Sequence, residues 1–213
     1  MSSAKIVWAT PDAENVMAYC ARVSNPKNQD NVATSGKLLK YCLKHKHFSV
    51  FETANVCLEI TTTRDIARQI LRHRSFSFQE FSQRYAEADS WEFSECRMQD
   101  EDNRQSSLET EDRDLTRWWA DEQGSVLWHV KNVYTAALKL GIAKEVARKV
   151  LPEGMTNSTM YMNGTIRSWL HYIEVRTDEA TQKEHRIVAN LIKAQIAKVV
   201  PNIMEELDKN HGH

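Results

Sequence analysis

The sequence predicts a fold of the mixed α+β class on three observations. Roughly six segments carry apolar residues at helical spacing, and at least two have the alternation or composition of strands. These segments do not follow a strand–helix–strand rhythm, which disfavours a doubly wound fold. Neither a GxGxxG turn nor a phosphate-binding loop motif occurs, so any dinucleotide must be held by other means.

Length and charge limit the possible functions. The 213 residues are predicted to form one domain, spanning residues 1–213, and are enough to bury a core. The net charge of -1 gives no general attraction to nucleic acid or to a membrane, so neither is an expected partner. Any basic site must therefore be local, which suits a small phosphorylated ligand.

Cysteine use and hydropathy point to the cytoplasm. The four cysteines, at positions 20, 42, 57 and 96, show no CxxC or zinc-ligand spacing, so we expect reduced thiols and no metal site. No apolar run approaches the ~20 residues of a membrane span, and the N-terminus lacks the apolar core of a signal peptide.

The N-terminal quarter predicts a strand followed by two helices. Residues 5–9 have strand composition, and Thr10, Pro11 and an early acid predict the start of a helix over residues 11–23. A polar loop follows, and apolar spacing predicts a second helix over residues 37–46. The histidines at 45 and 47 are interpreted as surface or capping groups, because no further metal ligand lies close by.

A half-buried strand and a basic helix end are predicted next. Residues 55–60 alternate apolar and polar, as in a strand with one buried face. Thr62 and Asp65 resemble a capping box that opens a helix running to about His73. At helical spacing, Gln69, Arg72 and His73 would share one polar surface at the end of that helix.

The basic cluster permits two interpretations. Three adjacent residues, Arg72, His73 and Arg74, repel one another unless an anion or polar ligand lies there, so they indicate a ligand site. A solvated helix end whose cations complement the helix dipole explains them equally well. Residues 75–81 follow and predict an ordered loop pinned by phenylalanine side chains.

Residues 87–123 are predicted to form a polar, acidic insertion. Within it, residues 99–116 include seven acidic and two basic side chains and almost nothing apolar. An exposed mobile segment is the favoured interpretation, with a lid over a ligand as the sharper alternative. Trp118 and Trp119 are expected to anchor its end to the body of the protein.

The C-terminal half predicts mainly helices. Val126, Val130, Val133, Ala137 and Leu140 predict the inward stripe of a helix over residues 125–140. Further helices are predicted over residues 142–151, 165–175 and 184–200, with a polar, methionine-rich connection over residues 154–164.

The basic cluster belongs to a longer pattern that resembles the flavin-dependent thymidylate synthases, the ThyX family. Arg72, His73 and Arg74 are followed after seven residues by Ser82, as in the family signature. The match extends to Gln69, Glu80, Arg84 and Tyr85, and further elements cover most of the chain. These elements are His47-x-Ser49-x-Phe51-Glu52, Ala147-Arg148-x-Val150-Leu151-Pro152, and the set Arg167, Arg176, Gln182 and Glu184. Pieces of the acidic insertion resemble viral and phage members.

The resemblance implies a fold, a reaction and an assembly. It implies a mixed or antiparallel sheet packed against several helices, as in ThyX. It implies reductive methylation of dUMP to dTMP, with methylenetetrahydrofolate as carbon donor and NADPH as hydride source by way of FAD. It also implies a homotetramer whose sites are shared between subunits, in a bacterial cytoplasm or an infected host cell.

The resemblance also assigns roles to residues. The positions matching FAD contacts are Ser49, Arg72, His73, Arg74, Glu80, Thr165, Arg167 and His171. The positions matching dUMP contacts are Gln69, Arg72, Glu80, Ser82, Gln83, Arg84, Arg148 and Arg176. His47 and Glu52 form a further possible site. The chain departs from the family at Thr53, where His is frequent, and at Thr165, where Asn is common.

Arg176 matches the catalytic arginine of the family. Because arginine does not deprotonate, it would act by stabilising negative charge on the uracil ring. Ser82 is interpreted as a ligand contact, since no histidine or lysine lies near it in sequence to activate it. No cysteine follows a proline, which agrees with a mechanism in which no enzyme nucleophile attacks dUMP.

Helix geometry makes a prediction about two of these arginines. Arg167 and Arg176 lie about 180° apart on a helix of 3.6 residues per turn. Either the helix ends before Arg176, or the two arginines serve different pockets. Two other functions remain open at this point: a nucleotide- or RNA-binding module that stacks bases on its phenylalanines, and a flavin-binding relative without activity.

Overall fold

The computed structural model describes residues 1–211 of the chain. Within them lie eight α-helices, named in chain order: α1 Ala13–Ala21, α2 Ser35–Lys44, α3 Arg64–Ile70, α4 Arg113–Lys139, α5 Lys144–Ala147, α6 Ile166–Arg176, α7 Lys183–Val199 and α8 Pro201–His211. The six strands are β1 Ser3–Ala9, β2 Asn55–Thr63, β3 Ser77–Glu80, β4 Arg97–Gln99, β5 Ser107–Glu109 and β6 Asn157–Thr165. Short 3-10 segments cover Pro26–Asn28, Val32–Thr34, Phe48–Glu52 and Arg148–Val150.

Four of the strands form one sheet in the order β1-β2-β6-β3. The direction of β2 against β6 follows from two backbone hydrogen bonds. Arg64 N–H donates to the carbonyl of Thr156, whereas Ile166 N–H donates to the carbonyl of Ala54. Residue numbers therefore rise along one strand as they fall along the other, so this pair is antiparallel. The α+β class and the antiparallel sheet are confirmed.

The chain divides into two compact units. The first comprises Met1–Ser2, Thr61–Leu71 and Glu80–Met160, and the second comprises Ser3–Ile60, Arg72–Gln79 and the described residues from Tyr161 onward. Strands β2 and β6 contribute residues to both units. The assignment of residues 1–213 to a single domain stays a prediction.

An aromatic cluster forms the centre of the second unit. Trp169 and Tyr172 on α6 are completely buried, and Phe76 packs edge-on against Trp169 with ring centroids 4.7 Å apart. The indole N–H of Trp169 donates to the carbonyl of Val56 on β2, at 3.1 Å. This bond satisfies the one polar atom of the indole and joins α6 to the sheet.

The first unit packs helices α3 and α4 into its core. Ile66 and Ile70 of α3 are fully buried, as the apolar spacing predicted. The buried face of α4 consists of Gln123, Leu127 and Tyr134 rather than the valine stripe predicted from the sequence. The amide of Gln123 is satisfied there by three hydrogen bonds to Ser94, so a polar side chain can lie in the core.

The predicted start and end of α3 are both wrong. Strand β2 continues through Thr63, because Thr62 and Thr63 are β-branched and buried and therefore suit the sheet. Thr62 thus lies in a strand and cannot cap a helix. The helix ends at Ile70, so Arg72 and His73 do not extend its surface as predicted.

Two predicted connections are strands. Residues predicted as a loop after the basic cluster contain β3, and the methionine-rich connection is β6. In β6, Met160 and Met162 are buried while Tyr161 between them is exposed, which is the two-residue period of a strand. Asparagine, serine and threonine at neighbouring positions hid this alternation from the sequence reading.

Half of the acidic insertion is ordered secondary structure. Strands β4 and β5 pair antiparallel, and α4 begins at Arg113, well before the predicted position 125. The carboxylate of Asp112 accepts hydrogen bonds from the N–H groups of Asp114 and Leu115, both at 3.0 Å, and so caps the helix.

The remaining helices differ less from prediction. Helix α1 begins at Ala13, because Asp12 adopts a left-handed conformation with φ of 50° and the Thr10 hydroxyl accepts a hydrogen bond from Asn55 instead of capping. The helix predicted over residues 142–151 shortens to α5 and a 3-10 turn. Helices α2, α6 and α7 are confirmed within two residues of the predicted ends, and Pro201 begins a separate α8.

Candidate active site

A hydrogen bond joins two of the predicted site residues in the second unit. The Nε–H of Arg176 donates to Nε2 of His73 at 2.9 Å. Arg176 is the last residue of α6. The start of that helix is fixed by Thr165, whose hydroxyl accepts from the N–H of Ser168 at 3.2 Å. The Ser168 hydroxyl in turn donates to the carbonyl of Ser75, which ties α6 to the basic cluster.

This bond defines the protonation state of His73. Since Nε2 accepts from a guanidinium that is always charged, it carries no proton, and a neutral imidazole must hold its proton on Nδ1. Burial, together with the charges of Arg176 and His171, lowers the pKa of His73 from 6.5 to about 4. His73 is therefore a neutral acceptor at physiological pH.

The remaining donors of Arg176 stay available. The guanidinium carries five N–H donors, of which His73 engages the one on Nε. Within residues 1–211, Arg176 makes no other hydrogen bond or ion pair. The terminal nitrogens form a fork held from behind at Nε, and such a fork can bind a carbonyl or phosphate oxygen.

Arg167 lies in a different environment on the same helix. It forms an ion pair with Glu52, the acidic residue of the upstream element. Both side chains are about half exposed. Helix α6 runs unbroken through Arg176, so the first of the two geometric alternatives, an earlier helix end, is wrong. The contacts of the two arginines agree with the second alternative, different pockets.

Arg167 also borders a cavity of about 440 Å³ in the second unit. Leu43, Phe48 and Leu170 contribute apolar walls, and His171 lines it as well. Among the described residues, the lining comprises Leu43, Lys44, Lys46, Phe48, Arg167, Leu170, His171, Glu174 and Leu207. The cavity thus combines an apolar interior with several cations, a combination suited to an aromatic anion.

The other predicted residues of the second unit are exposed. Arg72 and Arg74 point their charges into solvent, and neither has a hydrogen-bond or ion-pair partner within residues 1–211. Ser49 lies on the 3-10 segment and is also exposed. His47 packs edge-on against Tyr41, at a centroid distance of 6.0 Å.

Glu80 is held by two neighbours in the first unit. Its carboxylate accepts from the Ser158 hydroxyl at 2.7 Å and lies 3.4 Å from a terminal nitrogen of Arg64. Both partners come from elements next to β3, namely β6 and α3. The cation and the hydroxyl together hold the carboxylate in one orientation.

The remaining predicted residues of the first unit surround a turn. The carbonyl of Ser82 accepts from the N–H groups of Tyr85 and Ala86. Arg84 pairs with Glu145 of α5 at 3.1 Å, and Arg148 begins the 3-10 turn directly after that helix. The ion pair of Arg84 thus links the turn at Ser82 to helix α5, which directly precedes Arg148. Gln69 lies half-buried on α3.

Gln83 in this turn has an unsatisfied donor. The side chain is only 4% exposed, and its Nε2 has no hydrogen-bond partner in the described part of the chain. In the second unit, Oδ1 of Asn163 on β6 is likewise buried without a partner. Such atoms are costly when unpaired, so each is a candidate for binding a ligand.

Sequence reasoning missed several members of the site. Tyr172 and His185 lie behind His73, and Arg64 and Ser158 hold Glu80. Tyr172 and His185 occupy helix positions that apolar spacing assigns to the core, so no local signal distinguished them. Ser158 lies in the strand that was predicted as a connection.

Residues 1–211 contain neither a cluster of metal-ligating side chains nor a helix suited to span a membrane. No three histidine, cysteine or acidic side chains there converge on a point that could hold a metal ion. Among the described helices, none combines the length and apolar character needed to cross a membrane.

Comparison with known proteins identifies the family. A family model described as thymidylate synthase complementing protein matches residues 5–202. A probable flavin-dependent thymidylate synthase of Paramecium bursaria Chlorella virus 1 is 51% identical over 95% of this chain and 94% of its own length. A flavin-dependent thymidylate synthase of Synechocystis sp. is 49% identical over 92% of this chain and 89% of its own.

A solved structure shares the fold. The crystal structure of a UMP/dUMP methylase, PolB from Streptomyces cacaoi, superposes with a TM-score of 0.85 at 22% identity, covering 98% of this chain and 95% of that one. The family model, the two relatives and the signature at Arg72–Ser82 agree. The chain therefore belongs to the thymidylate synthase complementing protein family, the flavin-dependent thymidylate synthases.

Proposed function

We propose that this chain methylates dUMP to dTMP, with methylenetetrahydrofolate as carbon donor and NADPH as the source of hydride by way of FAD. The observation that carries this proposal is the hydrogen bond from Arg176 to His73, which presents the fork of Arg176 to a ligand. The names of the viral and cyanobacterial relatives support the activity. The name of the PolB structure, bound with 5-Br dUMP, supports the nucleotide class.

The residues of the second unit fit FAD. A dinucleotide carries two phosphates, and Arg72 and Arg74 offer exposed guanidinium groups that have no partner among the described residues. Oδ1 of Asn163, also unsatisfied within that part of the chain, offers an acceptor. Bound FAD would relay hydride from NADPH to the transferred methylene. The residues of the second unit proposed to hold it are Ser49, Arg72, His73, Arg74, Thr165, Arg167 and His171, with His47 and Glu52 as a further contact region. Glu80, in the first unit, is proposed as an FAD contact from the family match alone.

The first unit supplies most of the groups proposed to hold dUMP. Arg84 and Arg148 suit the phosphate, since charge-assisted bonds contribute roughly 1.5–3 kcal/mol each. The buried Nε2 of Gln83 suits a uracil carbonyl, which would satisfy its unpaired donor. Gln69, Arg72, Glu80, Ser82 and Arg176 complete the set.

The role proposed for Arg176 is electrostatic. As C5 of the uracil ring becomes nucleophilic, negative charge develops on the ring oxygens, and the terminal N–H groups of Arg176 stabilise it. His73 holds the guanidinium at Nε. Because His73 is neutral, it leaves the positive charge of Arg176 free to interact with the ring oxygens. An imidazolium at the same place would repel Arg176 and lose the hydrogen bond.

No enzyme nucleophile is required. Cys42 and Cys57 are buried, and burial raises the pKa of both thiols, which disfavours the reactive thiolate. Within residues 1–211, Ser82 has no base among its hydrogen-bond partners: its hydroxyl accepts from the N–H of Arg84 at 3.4 Å. Activation of dUMP is therefore assigned to charge stabilisation.

We further propose that the protein is a homotetramer with sites shared between subunits. Val126, Val133 and Leu140 lie on one line along α4 and are 49%, 40% and 81% exposed. An apolar stripe that is exposed in the protomer fits burial against a second copy of the chain. NADPH and the folate would reach sites completed in that assembly.

A reconstitution experiment tests the proposed function. Purified protein mixed with FAD should show the visible absorption of a bound flavin after gel filtration, and adding the three substrates should give dTMP. A protein that binds no FAD but retains RNA would instead support a nucleic-acid-binding module. Bound FAD without dTMP formation would indicate a relative that has lost activity.

A further inference from the structure

Two polar side chains lie fully buried next to the candidate site. Tyr172 on α6 and His185 on α7 both have no solvent exposure, and the Tyr172 hydroxyl shares a hydrogen bond of 3.0 Å with Nε2 of His185. Neither residue is among those proposed to bind FAD or dUMP. Burying polar groups is unfavourable unless they are paired, and this pair occupies a position that two apolar side chains could fill.

The pair contacts the site through ring packing. Tyr172 packs edge-on against His73, with centroids 4.9 Å apart and an interplanar angle of 68°. Tyr172 also packs edge-on against Trp169, at 6.1 Å. The phenol ring thus contacts both a buried indole and the imidazole that binds Arg176. Tyr172 precedes Arg176 by four residues, so both lie on one face of α6.

We propose that the Tyr172–His185 pair positions His73 and, through it, the guanidinium of Arg176. This inference rests on the function proposed above for Arg176. The hydrogen bond to His185 fixes the position of the hydroxyl end of Tyr172, and packing against Trp169 restrains the plane of its ring. The Tyr172 ring in turn fixes the plane of the His73 imidazole. With its plane fixed, His73 directs the lone pair of Nε2 at Nε of Arg176. Tyr172 and His185 are positioning residues, since neither is proposed to touch a ligand.

The same packing keeps His73 neutral. The charged or titratable groups around it are Arg176 and His171 on α6, His185 on α7, and the flanking Arg72 and Arg74. Burial, with a smaller contribution from the charge of Arg176, lowers the pKa of His73 to about 4 and that of His185 to about 3. Loosening the Tyr172 ring would admit water to His73, and its pKa would move toward the 6.5 of a solvated imidazole.

A Tyr172→Phe variant tests the proposal. It keeps the ring and removes the hydroxyl. We expect a fold that is retained, dTMP formation that falls roughly fivefold in kcat with little change in KM for dUMP, and an acid limb of the kcat–pH profile that moves upward from below pH 5. Unchanged kcat and an unchanged acid limb in a folded variant would overturn the proposal.

A double variant separates positioning from simple stability. Tyr172→Phe alone leaves His185 without the hydroxyl, whereas Tyr172→Phe with His185→Leu removes both polar groups. We expect the double variant to regain thermal stability while kcat stays low. Recovery of kcat together with stability would mean that the pair only supports the fold, and would overturn the proposal.

A matched control and a substrate-free readout complete the design. Tyr134→Phe also removes a buried hydroxyl, which accepts a hydrogen bond from the Ala88 N–H at 3.3 Å in the first unit, and should leave the acid limb unchanged. The His73 titration can be followed by NMR without substrates, and Tyr172→Phe should raise its midpoint. This readout stays decisive even if dTMP formation fails in the wild-type protein. A midpoint that does not move in Tyr172→Phe would contradict the positioning role.

Discussion

Arg176 donates from Nε to the imidazole of His73 at 2.9 Å, across 103 residues of sequence. His73 belongs to the family signature, and Arg176 ends a helix in the C-terminal third of the chain. The contact explains how an arginine at a helix end keeps one orientation. One donor is fixed by a neutral acceptor, and the terminal nitrogens are left for the nucleotide that we propose binds there.

Replacing Arg176 tests its role directly. Arg176→Ala and Arg176→Lys should both lower kcat for dTMP formation by about 10²–10³-fold, the usual cost of removing a donor aimed at developing charge. Lysine fails as well because it lacks the planar fork that reaches His73 and the ligand together. Flavin absorbance of the purified variants should equal that of the wild type.

The control for Arg176 is Arg117→Ala. Arg117 is an exposed arginine on α4, so its removal should change neither turnover nor flavin content. Turnover by Arg176→Ala at the wild-type rate would show that the catalytic assignment is wrong.

Thermal stability should fall as the pH drops below 6.5. Burial lowers the pKa of His73 to about 4 and of His185 to about 3, whereas both titrate near 6.5 in the unfolded chain. Between those values the unfolded chain takes up protons that the folded chain does not, so folding loses stability as the pH falls toward 4. Calorimetric Tm values from pH 7 to pH 5 measure this slope, above the range in which carboxylates titrate.

A His73→Asn variant provides the comparison. It removes one of the two titrating groups and should flatten the decline of Tm between pH 7 and pH 5. An equal slope in the two proteins would mean that His73 is not held neutral in the folded state.

Gly164 in β6 should not tolerate a side chain. A Cβ there would lie 2.4 Å from Cδ1 of Phe76, whose ring is packed against Trp169. Gly164→Ala should therefore destabilise the protein by about 1–3 kcal/mol, the typical cost of overpacking a core. Urea unfolding measures the change.

Gly154→Ala is the matched control, because a Cβ at Gly154 meets nothing within 4 Å. Its free energy of unfolding should stay within about 0.5 kcal/mol of wild type. A Gly164→Ala protein as stable as this control would contradict the close packing of Phe76 against β6.

The exposed apolar stripe of Val126, Val133 and Leu140 is predicted to form a subunit interface in the proposed tetramer. Val133→Glu should leave the protomer folded, since Val133 is 40% exposed there, but it would place a charge in a subunit interface. Light scattering should show a particle below four times the 24.6 kDa chain mass. The neighbouring polar change Asn132→Glu should keep the wild-type mass, and a wild-type mass for Val133→Glu would refute an interface at this stripe.

Long periodic helices and the signature could be predicted from the sequence. Helices α6 and α7 follow the 3.6-residue period over many turns, and their ends are marked by a capping threonine and a proline. Strand β6 was missed because its buried methionines alternate with polar residues whose composition is typical of a loop. Helix α3 was extended too far because threonines suit both a helix start and a strand end.

Residues of the candidate site could be predicted from the sequence only at positions that match a family motif. The signature and the later arginines predict which residues belong to the candidate site. They do not predict that Arg176 donates to His73 or that Arg167 pairs with Glu52. Such pairs join residues distant in sequence and arise from tertiary packing. The role of Tyr172 and His185 could not be predicted for another reason. Each occupies a position in the apolar period of its helix, and that pattern is typical of an ordinary core residue.

The products of one complete reaction mixture show whether NADPH or the folate supplies the hydride. Purified protein with FAD, dUMP, methylenetetrahydrofolate and NADPH should yield dTMP and tetrahydrofolate in equal amounts, with one NADPH oxidised per dTMP, because the hydride comes from NADPH and not from the folate. Omitting FAD should abolish the reaction in flavin-free protein. Formation of dihydrofolate in place of tetrahydrofolate, or of dTMP without NADPH oxidation, would contradict the account.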